Sequence, residues 1–481
     1  MLLASTLSFL LTVAARFDRR SVPAGPYNDG VAMAAEKVSW SFPRAFWFAN
    51  ASELCERAAY YGTFIALRTY LLRVVGLDDV QAGFVAGLFG ALIYLFPFFS
   101  GALADRLGFR ASLMLAFALL ALGYGSLGRF HAFWPVMGAL LLIVIGGSFV
   151  KPVITGTASR SSNEASRARA FSIFYMMVNI GSFTGKTIVA PIRIQMGVGN
   201  VPYFSAVAAL VGLAIVAFSY FPGEASGERP RSVAETLRGM ATAMGNLRFT
   251  ALILITAGFW AIQGQLYASM PDYVIRMAGE TYKPEWYANV NPLIVVLCVV
   301  GVTQLVRTWA PAASIMVAMV LIPLSSLAMA ASHLFSGPVH ILGAAIHPIT
   351  LMMVIGIAIQ GFAECFLSPK YLEFASRQAP AGREGLYLGY AHMNTFFAWL
   401  FGFVFAGYLL KAFCPDPSRL SPALQTQHAA WLAGQAPMPE VYAHAHYLWY
   451  AFAGVGALSL VAMGVFVTVT RSIDARQGKA A

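Results

Sequence analysis

Twelve apolar runs, each long enough to cross a bilayer, constrain this chain more than any other feature. They span roughly 45–72, 80–103, 109–128, 132–154, 170–194, 202–222, 249–276, 286–306, 312–333, 346–371, 386–411 and 445–470. A hydrocarbon core about 30 Å thick needs roughly 20 residues of helix. Unpaired backbone groups are too costly there for anything but helices or closed barrels, and runs of this length specify helices. Composition agrees: 58% of the residues are hydrophobic and 11% charged, against about 25% charged in a soluble domain. The formal charge of +11 does not point to nucleic acid, because the basic residues are scattered and form no Lys/Arg run. The expected fold is an all-α integral membrane protein.

Charge bias sets the expected topology. The loops after spans 2, 4, 6, 8 and 10 hold Arg106 and Arg110, then Arg160, Arg167 and Arg169, then Arg229, Arg231 and Arg238, then Arg307, then Arg377 and Arg383. Opposite loops carry Asp78, Asp79 and Asp416. The positive-inside rule then places both termini in the cytoplasm, with the plasma membrane (the inner membrane of a bacterium) as the expected location. Residues 41–222 form a first six-span unit and 248–470 a second, with 471–481 as a cytoplasmic tail. Residues 223–247 read as a linker in which 232–244 forms a short amphipathic surface helix. Residues 1–40 are excluded from the fold: Leu2–Ala14 is too short to span and lacks a basic flank, and reads either as a poor signal peptide or, preferentially, as a start-site artefact with Met33 the true start. The four cysteines lie far apart, and neither a disulfide framework nor a metal site is expected.

Charges inside the apolar runs point to function. Span 1 contains Glu53, Glu56, Arg57, Tyr60 and Tyr61, which share one arc of a helix at about 100° per residue. An ionised side chain at mid-membrane costs about 2.5–3.5 kcal/mol, so these groups face an interior space and pair there. Lys151 lies deep in span 4. It either snorkels to the inner surface or partners Glu53 or Glu56. Asn179 in span 5 either bonds helix to helix or faces a solute. Glu364 follows an apolar run in span 10 and needs a partner or a proton. In span 8, Pro292 frees a backbone carbonyl that Asn291 or a ligand can use. Asp105, Arg106 and Arg110 form a glycine-flanked turn after span 2 that marks the fold rather than the substrate. No nucleophile–base spacing is present, and no enzymatic activity is expected.

Taken together, these stretches resemble the proton-coupled oligopeptide transporters of the major facilitator superfamily. The matches are Glu53-x-x-Glu56-Arg57 with Tyr60-Tyr61-Gly62, Lys151-Pro152, Phe174-Tyr175-x-x-x-Asn179-x-Gly181, Phe259-Trp260-Ala261-Ile262-Gln263, Asn291-Pro292 and Glu364-x-x-x-Ser368-Pro369. The resemblance covers roughly 40–470. It implies twelve transmembrane helices in two six-helix bundles that rock about a central site. It also implies a proton as coupling ion, no organic cofactor, small peptides or peptide-like solutes as cargo, and lipid as the surroundings. Glu53, Glu56, Arg57 and Lys151 would couple protons to gating. Tyr60, Tyr61, Asn179 and Asn291 would line the peptide site. Glu364 would meet the amine and Lys151 the carboxylate.

Three departures stand out. The usual acid of span 7 is Gly264, and a usual basic residue of span 1 is Phe64. Arg68 lies about 20° from the direction of Arg57 and is a candidate substitute from further out. Lys186 is an added charge near the face of Asn179. Two other readings stay open: a divergent carrier of another organic anion or nitrate, possibly uncoupled, and a ligand-binding scaffold or sensor.

Overall fold

The computed structural model describes residues 42–163, 166–223, 233–379 and 384–476. The N-terminal segment, the start of the linker and the last five residues, for which a tail and a possible start-site artefact were expected, lie outside the described residues.

The first bundle contains α1 (Arg44–Arg73), the bent pair α2 (Asp79–Leu95) and α3 (Pro97–Leu107), α4 (Phe109–Arg129), α5 (Phe133–Arg160), α6 (Arg167–Met196) and α7 (Val201–Ser219). A short α8 (Val233–Met244) follows where the amphipathic linker helix was expected. The second bundle contains α9 (Leu247–Gln263), α10 (Gln265–Ala268), α11 (Met270–Ala278), α12 (Pro284–Tyr287), α13 (Val290–Leu305), α14 (Pro311–Ala330), α15 (Pro348–Gln378), α16 (Glu384–Ala391), α17 (Met393–Phe413) and α19 (Tyr447–Arg476). Between α17 and α19 lies α18 (Pro422–Leu432), and a small hairpin, β1 (Val339–Ile341) with β2 (Ala344–Ile346), follows α14.

Among the described residues, nine helices are long and apolar enough to cross a membrane, and the α2–α3 pair, bent by 46°, makes a tenth. The remaining two expected spans are α1 and α6. Each is 30 residues long, ample to cross, and each carries ionised side chains along its length. Twelve spans therefore stand as expected.

Local sequence explains the breaks. Pro97 lacks the N–H that would continue α2, so the chain bends there. The seventh span is broken twice, at Gly264 and at Ser269 before Pro271. The two bundles meet tightly where α2 packs on α17. A Cβ at Gly87 would stand 2.9 Å from both the Phe403 side chain and the Trp399 carbonyl. A larger residue would hold these helices apart, which is how small residues serve helix contacts in lipid.

Candidate functional site

The end at which α1 finishes is termed the outer end here, following the charge bias. Four buried ions join the bundles there. The Arg68 guanidinium donates to Asp79 at 2.8 Å and to Asp272 at 2.9 Å. Asp79 also accepts from Arg276 at 2.8 Å, and Asp272 accepts from Thr69. Further along the seam, Arg193 on α6 pairs with Glu285 on α12 and donates to the Tyr282 carbonyl at 2.6 Å. Arg73 pairs with Glu280. Arg68, Asp79, Asp272 and Arg276 each have a partner of opposite sign and a further donor or acceptor, the condition under which charges tolerate burial.

Below this seam the ionisable groups of the two bundles approach one another around Tyr61, which lies in electrostatic range of both Arg57 and Glu364. On the N-terminal side, Arg57 pairs with Glu56 and reaches Glu53 at 3.4 Å. Both acids are buried, and one Glu53 oxygen has no hydrogen-bond partner. The guanidinium also stands 5.2 Å from the Tyr60 ring and 5.8 Å from the Tyr61 ring. Lys151, on α5, is exposed and in electrostatic range of Glu53, Glu56 and Arg57. Its neighbour one turn earlier, Gly147, faces the Glu56 carboxylate.

The second bundle contributes a single acid here. Glu364, on α15, accepts from the Gln263 side-chain amide at 2.6 Å and from Asn291 at 3.4 Å. These are neutral donors, and no cation among the described residues is its partner. Its carboxylate is in electrostatic range of the hydroxyls of Tyr61, Tyr94, Tyr175 and Tyr267. The second bundle thus offers one acid held by neutral donors, in the field of phenols from both bundles, while the acids of the first bundle are engaged by Arg57.

Other expected site residues have different placements. Asn179 donates to the Tyr175 carbonyl of its own helix at 2.8 Å. Tyr60 is packed between Phe64 and Phe89. Arg68 belongs to the outer seam. Lys186 is buried at the α6–α12 contact, where its ammonium donates to the Ala288 carbonyl at 3.2 Å. At the inner end, Asp105 and Arg106 are exposed, and Arg110 donates to the Ala217 carbonyl at 2.8 Å and covers the Phe221 ring.

The departures at positions 64 and 264 meet in space. Phe64 stacks on Trp399 of α17 with ring centroids 4.9 Å apart. A Cβ at Gly264 would stand 3.4 Å from the same indole. An aromatic stack across the bundles, joined by Tyr267, therefore fills the place where the resemblance anticipates ionisable groups. Sequence reading did not single out Trp399, Gln263, Asp79, Asp272 or Arg276 as functional. A signal existed for Asp272 and Arg276, which are ionisable and lie inside the seventh expected span. Asp79 read as a loop charge.

A sequence profile described as Major Facilitator Superfamily matches residues 51–346. The chain belongs to the Major Facilitator Superfamily. Among individual relatives of this facilitator, a di-/tripeptide transporter of Lactococcus lactis subsp. cremoris is 30% identical over 198 residues, 39% of either chain. A dipeptide and tripeptide permease A of Yersinia pestis is 31% identical over 145 residues, 29% of either chain. These alignments span about two-fifths or less of the relatives' length. In three dimensions the facilitator resembles a crystal structure of a peptide transporter, POT, in complex with sulfate. The TM-score is 0.67 at 19% identity, covering 90% of this chain and 95% of the other. A POT family transporter in complex with 5-aminolevulinic acid gives 0.67 at 17% identity, covering 91% and 98%. At these identities the likeness concerns the fold.

Proposed function

We propose that this facilitator carries di- and tripeptides, or solutes with the same amine-and-carboxylate ends, across the plasma membrane with both termini in the cytoplasm. One observation carries the reading: the second bundle sets an acid without a cationic partner among the described residues, Glu364, in the field of Tyr61, with Arg57 and Lys151 on the first bundle. A zwitterion needs that division, since charge-assisted hydrogen bonds are strongest when each end meets its opposite. The names of the partial-length relatives support the same solute class.

In this reading Glu364 takes the amine, with Asn291 and Gln263 holding the carboxylate in place. Lys151, accessible and close to Glu53 and Glu56, takes the carboxylate in the present state. The cross-bundle ion pairs lie at the outer end while Lys151 and Tyr175 are exposed below, as in a carrier closed outside and open inside. Coupling to protons runs through Glu53 and Glu56, whose hold on Arg57 competes with their own protonation.

The test is uptake of a labelled dipeptide into proteoliposomes with and without an inward proton gradient. Wild type should accumulate the dipeptide. Glu364→Gln should lose affinity for it by about tenfold or more, the scale of a charged hydrogen bond, while an N-acetylated dipeptide should be unaffected by the substitution. Absence of dipeptide transport in wild type defeats the reading. Equilibration without accumulation identifies an uncoupled facilitator and defeats coupling through Glu53 and Glu56.

A further inference from the structure

Three cations of the first bundle lie around Tyr61 and the acids Glu53 and Glu56, and they are not equivalent. Arg57 is occupied by Glu53 and Glu56. Lys151 is exposed and lies in the field of the same two acids. Lys186 is 1% exposed. It sits on α6 seven residues outward of Asn179, about 10 Å along the helix axis. Its ammonium touches the Ala288 carbonyl and stands 5.7 Å from the Tyr61 ring centroid, and among the described residues no carboxylate pairs with it.

The contrast with its neighbours is informative. Arg68, Arg193 and Arg276 are the arginines buried in the same seam, and each holds a carboxylate. The acid that α12 offers, Glu285, is taken by Arg193. From α1 the groups facing Lys186 are Tyr61 and, beyond that ring, Arg57. Beside Ala288, the side-chain oxygen of Asn289 is buried without a donor. The seam therefore holds an ammonium short of an anion next to an amide oxygen short of an N–H. A peptide's terminal carboxylate and amide N–H supply both.

Tyr61 links this point to Glu364. Its ring contacts Lys186, and its hydroxyl lies in electrostatic range of Glu364. Lys186 and Glu364 come from different bundles, and each is satisfied here by neutral groups alone.

We propose that Lys186 is the outer anion site of the carrier. When the α6–α12 seam parts, its ammonium leaves the Ala288 carbonyl and binds the solute carboxylate, while Glu364 takes the amine. Closing the seam returns Lys186 to Ala288 and leaves the carboxylate to Lys151. This rests on the zwitterion reading above and adds a residue that acts from the opposite side. A bare latch at the end of α12 is the competing role. A latch bonds protein to protein and is blind to the chemistry of the solute end.

The experiment compares a dipeptide with its C-terminal carboxamide in oriented vesicles, for wild type, Lys186→Gln, Lys186→Arg and Asn289→Asp. For entry from the outer face, Lys186→Gln should raise the dipeptide KM by about tenfold or more, with kcat little changed. The carboxamide KM should stay as in wild type, and Lys186→Arg should keep the preference for the carboxylate. The dipeptide KM for exit from the inner face should not move. Asn289→Asp, which places an anion beside the ammonium, should reproduce the carboxylate-selective loss and serves if Lys186→Gln does not reach the membrane. Equal changes for both solutes, or none, in a wild-type background that transports the dipeptide, overturn the Lys186 site alone. Failure of wild type to transport any dipeptide removes the carrier reading and this site with it.

Discussion

At the outer seam Arg68, Asp79, Asp272 and Arg276 hold one another, whereas below it Lys151 and Glu364 hold no ion of opposite sign among the described residues. Both regions lie within the membrane-spanning body and both carry ionisable groups. The difference is completeness. A network whose members are all paired is rigid and keeps its two sides together. Charges left with neutral partners keep interaction energy in reserve for something that arrives later. The seam is thus built to close, and the region below it to bind.

The largest expected effect lies in the seam. Asp79 serves both Arg68 and Arg276, so Asp79→Asn leaves Arg68 with Asp272 alone and strands the buried Arg276 guanidinium, which has no other ion pair among the described residues. Breaking a buried pair typically costs about 3–5 kcal/mol, and here that cost falls on the outer-closed state. A native reporter sits beside it. Cys414 is buried, its carbonyl accepts from Arg276, and burial pushes its thiol up to about 12, so in the closed seam it stays protonated and unreactive. Asp79→Asn should sharply increase labelling of Cys414 by a membrane-impermeant maleimide, as mapped by mass spectrometry. Labelling that stays at the wild-type level would show that the seam does not gate the outer side.

A smaller effect is expected below the seam. Lys151 holds no acid within salt-bridge distance, so Lys151→Ala strands no paired ion and should leave the melting temperature near that of wild type. Dipeptide affinity should fall by about tenfold or more, and accumulation should cease. Unchanged affinity and accumulation would return Lys151 to a lysine that snorkels to the inner surface.

The smallest effect concerns the aromatic stack. A Cβ at Gly264 would meet the Trp260 carbonyl at 3.2 Å and the Trp399 indole at 3.4 Å, with Phe64 rather than a cation beyond. Gly264→Glu alone should therefore add no accumulation, whereas Gly264→Glu combined with Phe64→Arg restores an ion pair across the bundles and should raise it. A membrane potential of 100 mV is worth about 2.3 kcal/mol per charge, a solute gradient of roughly 50-fold at full coupling. Steady-state accumulation under imposed pH and voltage gradients measures the difference. Restored accumulation in the single variant would contradict the stack as the reason.

Much of the fold was legible because membrane insertion is read locally. An apolar run of sufficient length becomes a helix whatever surrounds it, so α1 and α6 follow from sequence despite their charges. Proline explains the bend before Pro97 for the same reason. The need of Glu53, Glu56, Arg57 and Glu364 for interior surroundings was equally local, since each is costly in lipid by itself.

Partnership was not local. Helical spacing gives the direction of Arg68, about 20° from Arg57, and says nothing of what stands opposite it. Eleven residues also raise it about 16 Å along the axis, away from Arg57 and onto Asp79 and Asp272. Asp79 reads as a loop charge until α11 brings Arg276 to it. Phe64 and Gly264 read as two separate losses until Trp399 comes between them. Sequence alone determined that this chain buries charge within twelve membrane helices. Only the packing of one bundle on the other decided which charges are matched and which wait, because that depends on residues two hundred positions apart meeting at the same depth.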